Sequence, residues 1–481
     1  MVTFEQLQGR LPTALAANTP GSEVEHVCVA LPSYSVGESL LSHYVDRIPS
    51  LEHRFLLAAF MLHRIEACEL VFLSSEAPGD DIVDYYASLV PPERQAGVRK
   101  RLRIVEVPDR SARSVAAKLL DRPQLLDSLR ESFGGRPAFI EPWNVTDYEV
   151  EVALRLDAPI HGTPPELRCL GYKSEGRRLF RRAGVPVPYG CEDVRTVDDV
   201  VAAVASVRAA RPQATGVVVK HDDSGAGDGN VVLDLRPHDP DEHVRAQVER
   251  LPDWYLRDLR AGGVVEERIA GTRFTSPSVQ VDLAPGREPV VLATHEQVLG
   301  GDNDQVYLGC RFPADPAYAP QLARHARAIA EELAGRGVIG RIAIDFAAVA
   351  DASGRHEVFA LEVNLRKGGT THPYSVLRHL APGRYDAEAG QWVAFDGLPR
   401  AYRATDNLLD EAWTGLPPRA VIDAVASAGL QLDHRTGTGV VLHMLSGLAL
   451  DGRFGITAVG RSDDHAAELY EATRAAVDRL V

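Results

Sequence analysis

The chain has 481 residues, of which 45% are hydrophobic and 25% are charged, as in ordinary soluble globular proteins. Its formal net charge of −15 argues against nucleic acids and anionic membranes as general partners. No apolar run is long enough to span a bilayer, no secretion signal is recognisable, and the five cysteines are scattered. We therefore expect a cytoplasmic protein with reduced thiols.

The first third of the chain alternates between strand and helix patterns. Strands are predicted at residues 24–31, 70–73, 102–107 and 138–140. Helices are predicted at residues 51–67, 82–90, 114–132 and 147–156. This alternation predicts an α/β fold with an open, mainly parallel sheet in a domain over residues 1–165. No Gly-x-Gly-x-x-Gly follows the first strand, so we expect no dinucleotide site there.

A second domain is predicted over residues 166–385, with a glycine-rich lid around residues 216–235. Its strand 216–220 ends at Lys220 and runs into a loop rich in serine and glycine before a strand at 231–233. Such a loop can lay backbone N–H groups over a triphosphate, and a flexible hairpin is the alternative. The loop residues proposed for this contact are Ser224, Gly225, Gly227 and Gly229.

Lysine is rare in this chain. Five of the 52 lysine and arginine residues are lysines, which indicates that a lysine is retained where a compact ammonium group is needed. We apply this interpretation to Lys173 and Lys220, and we attribute Lys100 and Lys118 to drift.

The strand that begins at residue 263 ends in Glu266, Glu267, Arg268 and Ile269. The backbone of these four residues is a candidate hinge for the adenine edge of a nucleotide, and an ordinary strand end is the alternative. A hairpin of strands 278–283 and 289–296 is predicted to follow.

The residues near position 340 carry the clearest sign of chemistry. Segments 340–346 and 359–365 have strand patterns and are separated by turn residues, so we predict a hairpin. Glu362 and Asn364 share one face of their strand, and Asp345 joins that face if the hairpin pairs in register. Two carboxylates and an amide oxygen predict a magnesium site, whereas a solvated strand edge is the alternative.

Basic residues accompany this hairpin. Arg341 and Arg366 beside a metal site indicate an anionic substrate, such as a phosphate or a carboxylate. Lys367 should lie on the opposite face from Arg366. Two alternatives stay open: Arg366 pairs with a structural carboxylate, and His372 is a structural histidine instead of a substrate contact.

These features in this order resemble the ATP-grasp superfamily, over residues 165–385. The resemblance implies that Lys173 and Lys220 hold the phosphates of ATP and that Asp345, Glu362 and Asn364 hold Mg²⁺. Residues 386–481 would then form a small α+β closing domain.

A narrower resemblance links the whole chain to the pheganomycin-type peptide ligases. It rests on the phrase Thr275–Gln280, on the run Asn364–Pro373 and on the N-terminal and C-terminal domains. Those enzymes join a nonproteinogenic, guanidino-bearing amino acid to the N-terminus of a peptide. The implied activity is ATP-dependent amide formation through an acyl phosphate. The residues predicted to contact the substrates are Ser276, Arg311, Arg366 and His372.

Two departures from the ATP-grasp pattern affect the predicted nucleotide site. Thr272 and Arg273 stand where many members carry an acidic residue for the ribose. Asp222, Asp223 and Asp228 lie in the glycine-rich segment and would repel a triphosphate unless they point away or meet a cation.

Other functions and partners also remain open at this point. A small-molecule kinase on the same ATP site is one alternative, and a degenerate nucleotide-binding interaction protein is another. The expected partners are small-molecule acid and amine substrates, and a homodimer is left open.

Overall fold

The computed structural model describes residues 2–35, 41–224, 229–236, 240–300 and 306–481. It is an α/β structure, as predicted, and contains three sheets among these residues. None of the helices in these ranges is long and apolar enough to cross a membrane.

The N-terminal segment forms a parallel sheet with strand order β3-β2-β1-β4, which confirms the predicted architecture. Its strands are β1 (His26–Leu31), β2 (Cys68–Ser74), β3 (Leu102–Glu106) and β4 (Ala138–Pro142). Every residue of β1 is buried, because helices cover both faces of a parallel sheet. The helices are α1 (Phe4–Gln8), α2 (Leu11–Ala17), α3 (Ile48–His53), α4 (Asp80–Ser88), α5 (Pro92–Arg101), α6 (Val115–Leu120), α7 (Pro123–Ser132) and α8 (Asp147–Leu156).

Two of the predicted helices differ from the structure. The helix predicted at 51–67 is an α-helix only to His53 and continues as a 3₁₀ segment, Arg54–His63. The helix predicted at 114–132 is divided into α6 and α7, because Pro123 has no N–H to continue a helix and instead begins a new one.

The next segment forms a small sheet with order β5-β8-β6-β7. Strands β6 and β7 pair in an antiparallel hairpin, as predicted, and its tip, residues 225–228, lies outside the described residues. The strands are β5 (Gly190–Cys191), β6 (Gly216–His221), β7 (Asn230–Asp234) and β8 (Gly263–Glu267). The helices are α9 (Lys173–Arg182), α10 (Val197–Ala210), α11 (Asp241–Glu249) and α12 (Asp253–Leu259).

The central sheet carries the predicted hairpins, β10 with β11 and β13 with β14. Its strands are β9 (Arg273–Thr275), β10 (Pro277–Leu283), β11 (Val290–Gly300), β12 (Val306–Phe312), β13 (Gly340–Ala350) and β14 (His356–Asn364). The helices of this segment are α13 (Ala319–Ala334) and α14 (Thr371–Leu380).

The C-terminal segment continues the central sheet, because its long strand pairs with β12 in antiparallel fashion. The strands are β15 (Gly383–Asp386), β16 (Gln391–Ala394), β17 (Pro399–Leu409), β18 (Gly439–His443) and β19 (Arg453–Gly460). The helices are α15 (Pro418–Ser427), α16 (Leu448–Asp451) and α17 (Asp463–Asp478). The boundaries at residues 165 and 385 stay predictions.

One hydrophobic core joins the two ends of the chain. Leu56 and Phe60 of the N-terminal segment belong to the same buried cluster as Tyr402, Val440 and Phe454 of the C-terminal segment. The N-terminal segment therefore packs against the C-terminal segment, whose strands extend the central sheet.

Candidate functional site

The β13–β14 hairpin brings the three predicted metal ligands together. Asp345 lies opposite Glu362 and Ala343 lies opposite Asn364, so the three polar side chains share one face of the sheet. The register shifts directly after Asp345. The sequence pattern therefore predicted the hairpin and its register correctly, while the metal role of these residues stays a prediction.

Asp345 is surrounded by amide donors. Its Oδ1 accepts a hydrogen bond from Gln297 Nε2 at 2.9 Å, and its Oδ2 accepts one from Asn364 Nδ2 at 2.9 Å. Burial, together with the neighbouring charge of Glu362, raises the pKa of Asp345 to about 6. The carboxyl is thus held where its negative charge is costly, unless a cation compensates it.

Lys173, the first residue of α9, connects this face with the glycine-rich hairpin. Its Nζ lies 3.3 Å from Glu362 Oε1 and donates to the carbonyl and hydroxyl oxygens of Ser224 at 3.1 and 3.2 Å. Gly225 and Gly227 lie outside the described residues, and the Gly229 carbonyl accepts the His221 N–H at 3.1 Å.

Two carboxylates of the glycine-rich segment are occupied, as the electrostatic argument required. Asp222 Oδ1 accepts the N–H of Ser174 at 2.8 Å and so caps the first turn of α9. Asp223 pairs with Arg168 at 2.7 Å. Asp228 lies outside the described residues.

Lys220 forms a buried ion pair with Glu266, whose other oxygen lies 2.7 Å from Arg177 Nη1. The hinge prediction for Glu266 considered only its backbone, which lies inside β8 and is paired with neighbouring strands. The side chain of Glu266 anchors the predicted phosphate lysine, and an adenine contact for its backbone stays a prediction.

The other three hinge residues are the last residue of β8, Glu267, and the two residues that follow it, Arg268 and Ile269. Glu267 Oε1 accepts the N–H of Tyr189 at 2.7 Å, and Arg268 donates its N–H to the carbonyl of Gly216 at 2.9 Å. Only Arg268 and Ile269 lie beyond the strand. An adenine contact for these residues stays a prediction.

Arg366 is a cation that lies near the sheet face that carries Asp345, Glu362 and Asn364. Its guanidinium carbon lies 4.7 Å from the ring centroid of Trp143, and its Nη1 donates to the Lys367 carbonyl at 3.2 Å. Burial lowers the pKa of Arg366, and the charges of Glu362 and Asp345 oppose that shift. Among the residues that the structure describes, no carboxylate lies within ion-pair distance of this guanidinium.

Arg341 lies instead in a buried charged network. Its Nε is 3.9 Å from Asp282 Oδ1, while Lys367 Nζ lies 2.9 Å from Glu141 Oε1. Burial disfavours the charge of Arg341, but Glu141 and Asp282 outweigh that effect and raise its pKa. Both Arg366 and Lys367 lie beyond β14, which ends at Asn364, so their placement on opposite faces stays a prediction. Arg341 Nε has no hydrogen-bond partner among the described residues, and the contact of Arg341 with a substrate also stays a prediction.

Arg311 lies on the opposite face of the sheet from Asp345. Gln297 of β11 contacts Asp345, so its neighbour Glu296, which is paired with Arg311, points to the other side. There Arg311 lines a cleft of about 360 Å³ and lies 3.8 Å from Asp463. This placement argues against the predicted contact between Arg311 and a substrate bound on the face that carries Asp345.

The two remaining substrate candidates are Ser276 and His372. Ser276 precedes β10, and its carbonyl accepts the N–H of Gln297 at 3.1 Å. His372 is buried with its ring centroid 5.0 Å from that of Phe55, and burial lowers its pKa well below the ordinary value. His372 Nε2 has no partner among the described residues.

Sequence reasoning missed several residues of this region. Trp143 follows β4 directly, and Tyr34 lies three residues after the end of β1. The carboxyl ends of parallel strands are the usual place for ligand contacts in such sheets. Their position after predicted parallel strands was the sequence signal that could have identified them. The drift interpretation of Lys118 was wrong, because this lysine is 1% exposed and donates to Ser75 Oγ at 2.9 Å.

The described residues contain no group of three or more histidine, cysteine, aspartate or glutamate side chains arranged to hold a metal ion. The candidate set, Asp345, Glu362 and Asn364, has two carboxylates and one amide. Such a small oxygen set suits Mg²⁺, which keeps waters and takes further ligands from phosphates.

Comparisons with known proteins identify the family and the fold. Residues 420–473 match a family model described as the PGM1 C-terminal domain. An L-propargylglycine–L-glutamate ligase from Streptantibioticus cattleyicolor is 32% identical over 409 residues, which cover 82% of this chain and 83% of that protein.

Two solved structures have the same fold. The biotin carboxylase of Campylobacter jejuni in a β,γ-ATP complex is 12% identical, with a TM-score of 0.57 and coverage of 94% of this chain and 91% of that one. The ADP complex of N5-carboxyaminoimidazole ribonucleotide synthetase is 16% identical, with a TM-score of 0.52 and coverage of 95% and 97%. The chain therefore has the ATP-grasp fold and belongs to the carboxylate–amine ligases of the pheganomycin type, the family of the L-propargylglycine–L-glutamate ligase.

Proposed function

We propose that this ligase uses ATP and Mg²⁺ to join the carboxylate of one amino acid to the amine of another amino acid or of a peptide. The observation that carries the proposal is the position of Arg366, a cation without an ion-pair partner among the described residues, beside the two carboxylates Asp345 and Glu362. An acid substrate supplies the anion that this arginine lacks.

The chemistry needs activation of the acid, because an amine cannot expel oxide from a carboxylate. Transfer of the γ-phosphoryl group of ATP to a carboxylate oxygen gives an acyl phosphate and ADP. The amine nitrogen then forms the amide bond, the C–O bond to phosphate breaks, and the amine proton is lost to solvent. One ATP is converted to ADP and phosphate for each amide formed.

Asp345, Glu362 and Asn364 are the residues that would hold Mg²⁺. They fit it because two carboxylates meet at adjacent strand positions, and the raised pKa of Asp345 reports a charge that lacks sufficient compensation. The bound ion would supply charge neutralisation for the transferring phosphoryl group.

The two lysines are assigned to the phosphates. Lys173 spans the distance between Glu362 and the glycine-rich hairpin, and Lys220 lies at the mouth of that hairpin. Each gives a charge-assisted contact that positions the triphosphate without forming a covalent bond. Glu266 and Arg177 hold Lys220 in place.

Arg366 has two consecutive tasks in this mechanism. It first binds the carboxylate of the acid through its planar fork of N–H donors, which an ammonium group does not reproduce. It then faces the oxyanion that develops when the amine attacks, where a fixed cation stabilises the transition state.

The substrates are proposed from the family. The relative from Streptantibioticus cattleyicolor is named for two amino acids, L-propargylglycine and L-glutamate. We extend that class to this chain and propose an amino acid as the acid, including nonproteinogenic ones, and an amino acid or peptide as the amine.

The test incubates the purified protein with ATP, Mg²⁺ and pairs drawn from the proteinogenic amino acids, L-propargylglycine and short peptides. The expected result is ADP, not AMP, together with an amide product detected by mass. Hydroxylamine in place of the amine should trap the acyl phosphate as a hydroxamate. A phosphorylated product that does not react with amines would favour the kinase alternative, and absence of nucleotide turnover with every pair would overturn the proposal.

A further inference from the structure

The segment that follows β4 contacts the substrate arginine from outside the central sheet. The guanidinium carbon of Arg366 lies 4.7 Å from the Trp143 ring centroid, which is a cation–π contact. The ring of Tyr34 lies 4.7 Å from the same indole and is tilted by 40°. The indole thus contacts both the arginine and a second aromatic ring.

The residue after Arg366 is tied to the same segment by three polar contacts. The N–H of Lys367 donates to the Trp143 carbonyl at 3.1 Å, and Lys367 Nζ donates to the Pro142 carbonyl and lies 2.9 Å from Glu141 Oε1. Lys367 is only 5% exposed. Two adjacent residues of the central segment are therefore docked on residues 141–143 by backbone and side-chain contacts.

The aromatic pair lies at a special point of the N-terminal sheet. The chain runs from β1 to β2 and β3 on one side and returns to β4 on the other side of β1. In open parallel sheets this reversal opens a crevice at the carboxyl ends of the strands, where ligands bind. Tyr34 and Trp143 follow the two strands that border the crevice.

Tyr34 is itself held in place. Its hydroxyl donates to the Leu51 carbonyl at 3.0 Å and accepts from Arg54 Nη2 at 2.8 Å. Arg54 forms a buried ion pair with Asp406 of β17, whose other oxygen lies 2.8 Å from His443 Nε2. These contacts connect the C-terminal segment, through Tyr34, with the Trp143 indole that contacts Arg366.

We propose that Trp143 is a positioning residue that fixes the guanidinium of Arg366 for the acid substrate, with Lys367 as its anchor. The inference rests on the proposed function, because it assigns Arg366 to the acid. The indole lies against the guanidinium, so the substrate carboxylate binds the N–H donors that the indole leaves uncovered. The acid site is consequently built from the N-terminal and central segments together and is complete only when they are docked.

The test is a double-mutant cycle on Trp143 and Arg366, with hydroxamate formation from the best acid of the substrate screen as the assay. Trp143→Leu should lower kcat/KM for the acid about 100-fold, the size of a misplaced positioning contact, and leave KM for ATP within about twofold. Trp143→Phe keeps a ring and should recover most of the loss. In an Arg366→Ala background, Trp143→Leu should have almost no further effect.

The control is Phe395→Leu, which removes the ring under Arg64 in a second cation–π pair, where Phe395 is 75% exposed. It should retain wild-type kinetics. Circular dichroism and thermal melting of each variant separate misfolding from loss of positioning. Additive effects of the two changes, or an unaltered rate in Trp143→Leu, would overturn the positioning role alone. A wild-type protein inactive with every acid would instead overturn the proposed function.

Discussion

Arg341 lies in β13 and Arg366 lies two residues beyond β14 of the same hairpin, yet their surroundings differ. Arg341 lies among Asp282, Glu141 and His161, in a network that joins the N-terminal segment to the central sheet. Arg366 lies on an indole with no described carboxylate at ion-pair distance. Sequence spacing gave both arginines the same candidate role.

The difference separates an arginine that stabilises the docking of segments from one that can bind a substrate. A charge that is compensated by protein groups stabilises the docking of segments, because removing either partner leaves the other buried and unpaired. A charge that is positioned but lacks an acidic partner is available for a ligand. We propose that the site with Asp345, Glu362 and Arg366 is of the second kind and that the Arg341 network is of the first kind.

The largest effect is expected for Glu362→Ala. Removing this carboxylate takes away one proposed magnesium ligand and the partner of Lys173, so turnover should fall about 1000-fold or more with the fold retained. Steady-state assays over a range of Mg²⁺ concentrations measure the effect. Glu357→Ala, an exposed glutamate of the same strand, is the control and should be unaffected. A near-normal rate at ordinary Mg²⁺ would remove Glu362 from the metal site.

Arg341→Met should act on stability instead of catalysis. It leaves Asp282 and Glu141 with less compensation, and we expect a loss of about 3 kcal/mol in the free energy of unfolding. Urea unfolding measures this, with the exposed Arg355→Met as the matched control. The KM values for ATP and for the acid should stay close to wild type below the unfolding range. A stable but catalytically impaired variant would return Arg341 to the substrate site.

The smallest effect is a pH dependence of the same network. Burial lowers the pKa of His161, but Glu141 and Asp282 outweigh burial and raise it above its ordinary value. Because the pKa of His161 is higher in the folded state than in the unfolded state, the contribution of protonated His161 to stability is complete below about pH 6.5. That contribution disappears as the pH rises through the folded-state pKa. His161→Gln should therefore lose less stability than the wild type between pH 6.5 and 9. Parallel pH curves from thermal unfolding would contradict this assignment.

Local sequence patterns predicted much of the fold. The alternation of strands and helices, the β6–β7 and β13–β14 hairpins and the shared face of Asp345, Glu362 and Asn364 all follow from periods of two and from turn residues. These features depend on residues close together in the chain. The breaks at His53 and Pro123 were missed because they depend on local helix geometry inside longer apolar patterns.

The environment of the site could not be predicted in the same way. Trp143 meets Arg366 from more than two hundred residues away, and Arg54 meets Asp406 across 352 positions. Such contacts follow from how segments dock, which periodicity does not report. The same limit explains Arg311, whose residue type suits an anion but whose strand register directs it to the other face.

The most direct test of the comparison is the kinetics of Arg366→Lys, with the acid and ATP varied separately. A lysine keeps the charge but loses the planar fork, so kcat/KM for the acid should fall. The fall should correspond to a loss of about 2–4 kcal/mol in transition-state stabilisation. KM for ATP should change little. A variant that is impaired only in ATP binding, or not impaired at all, would contradict the assignment of Arg366 to the acid substrate.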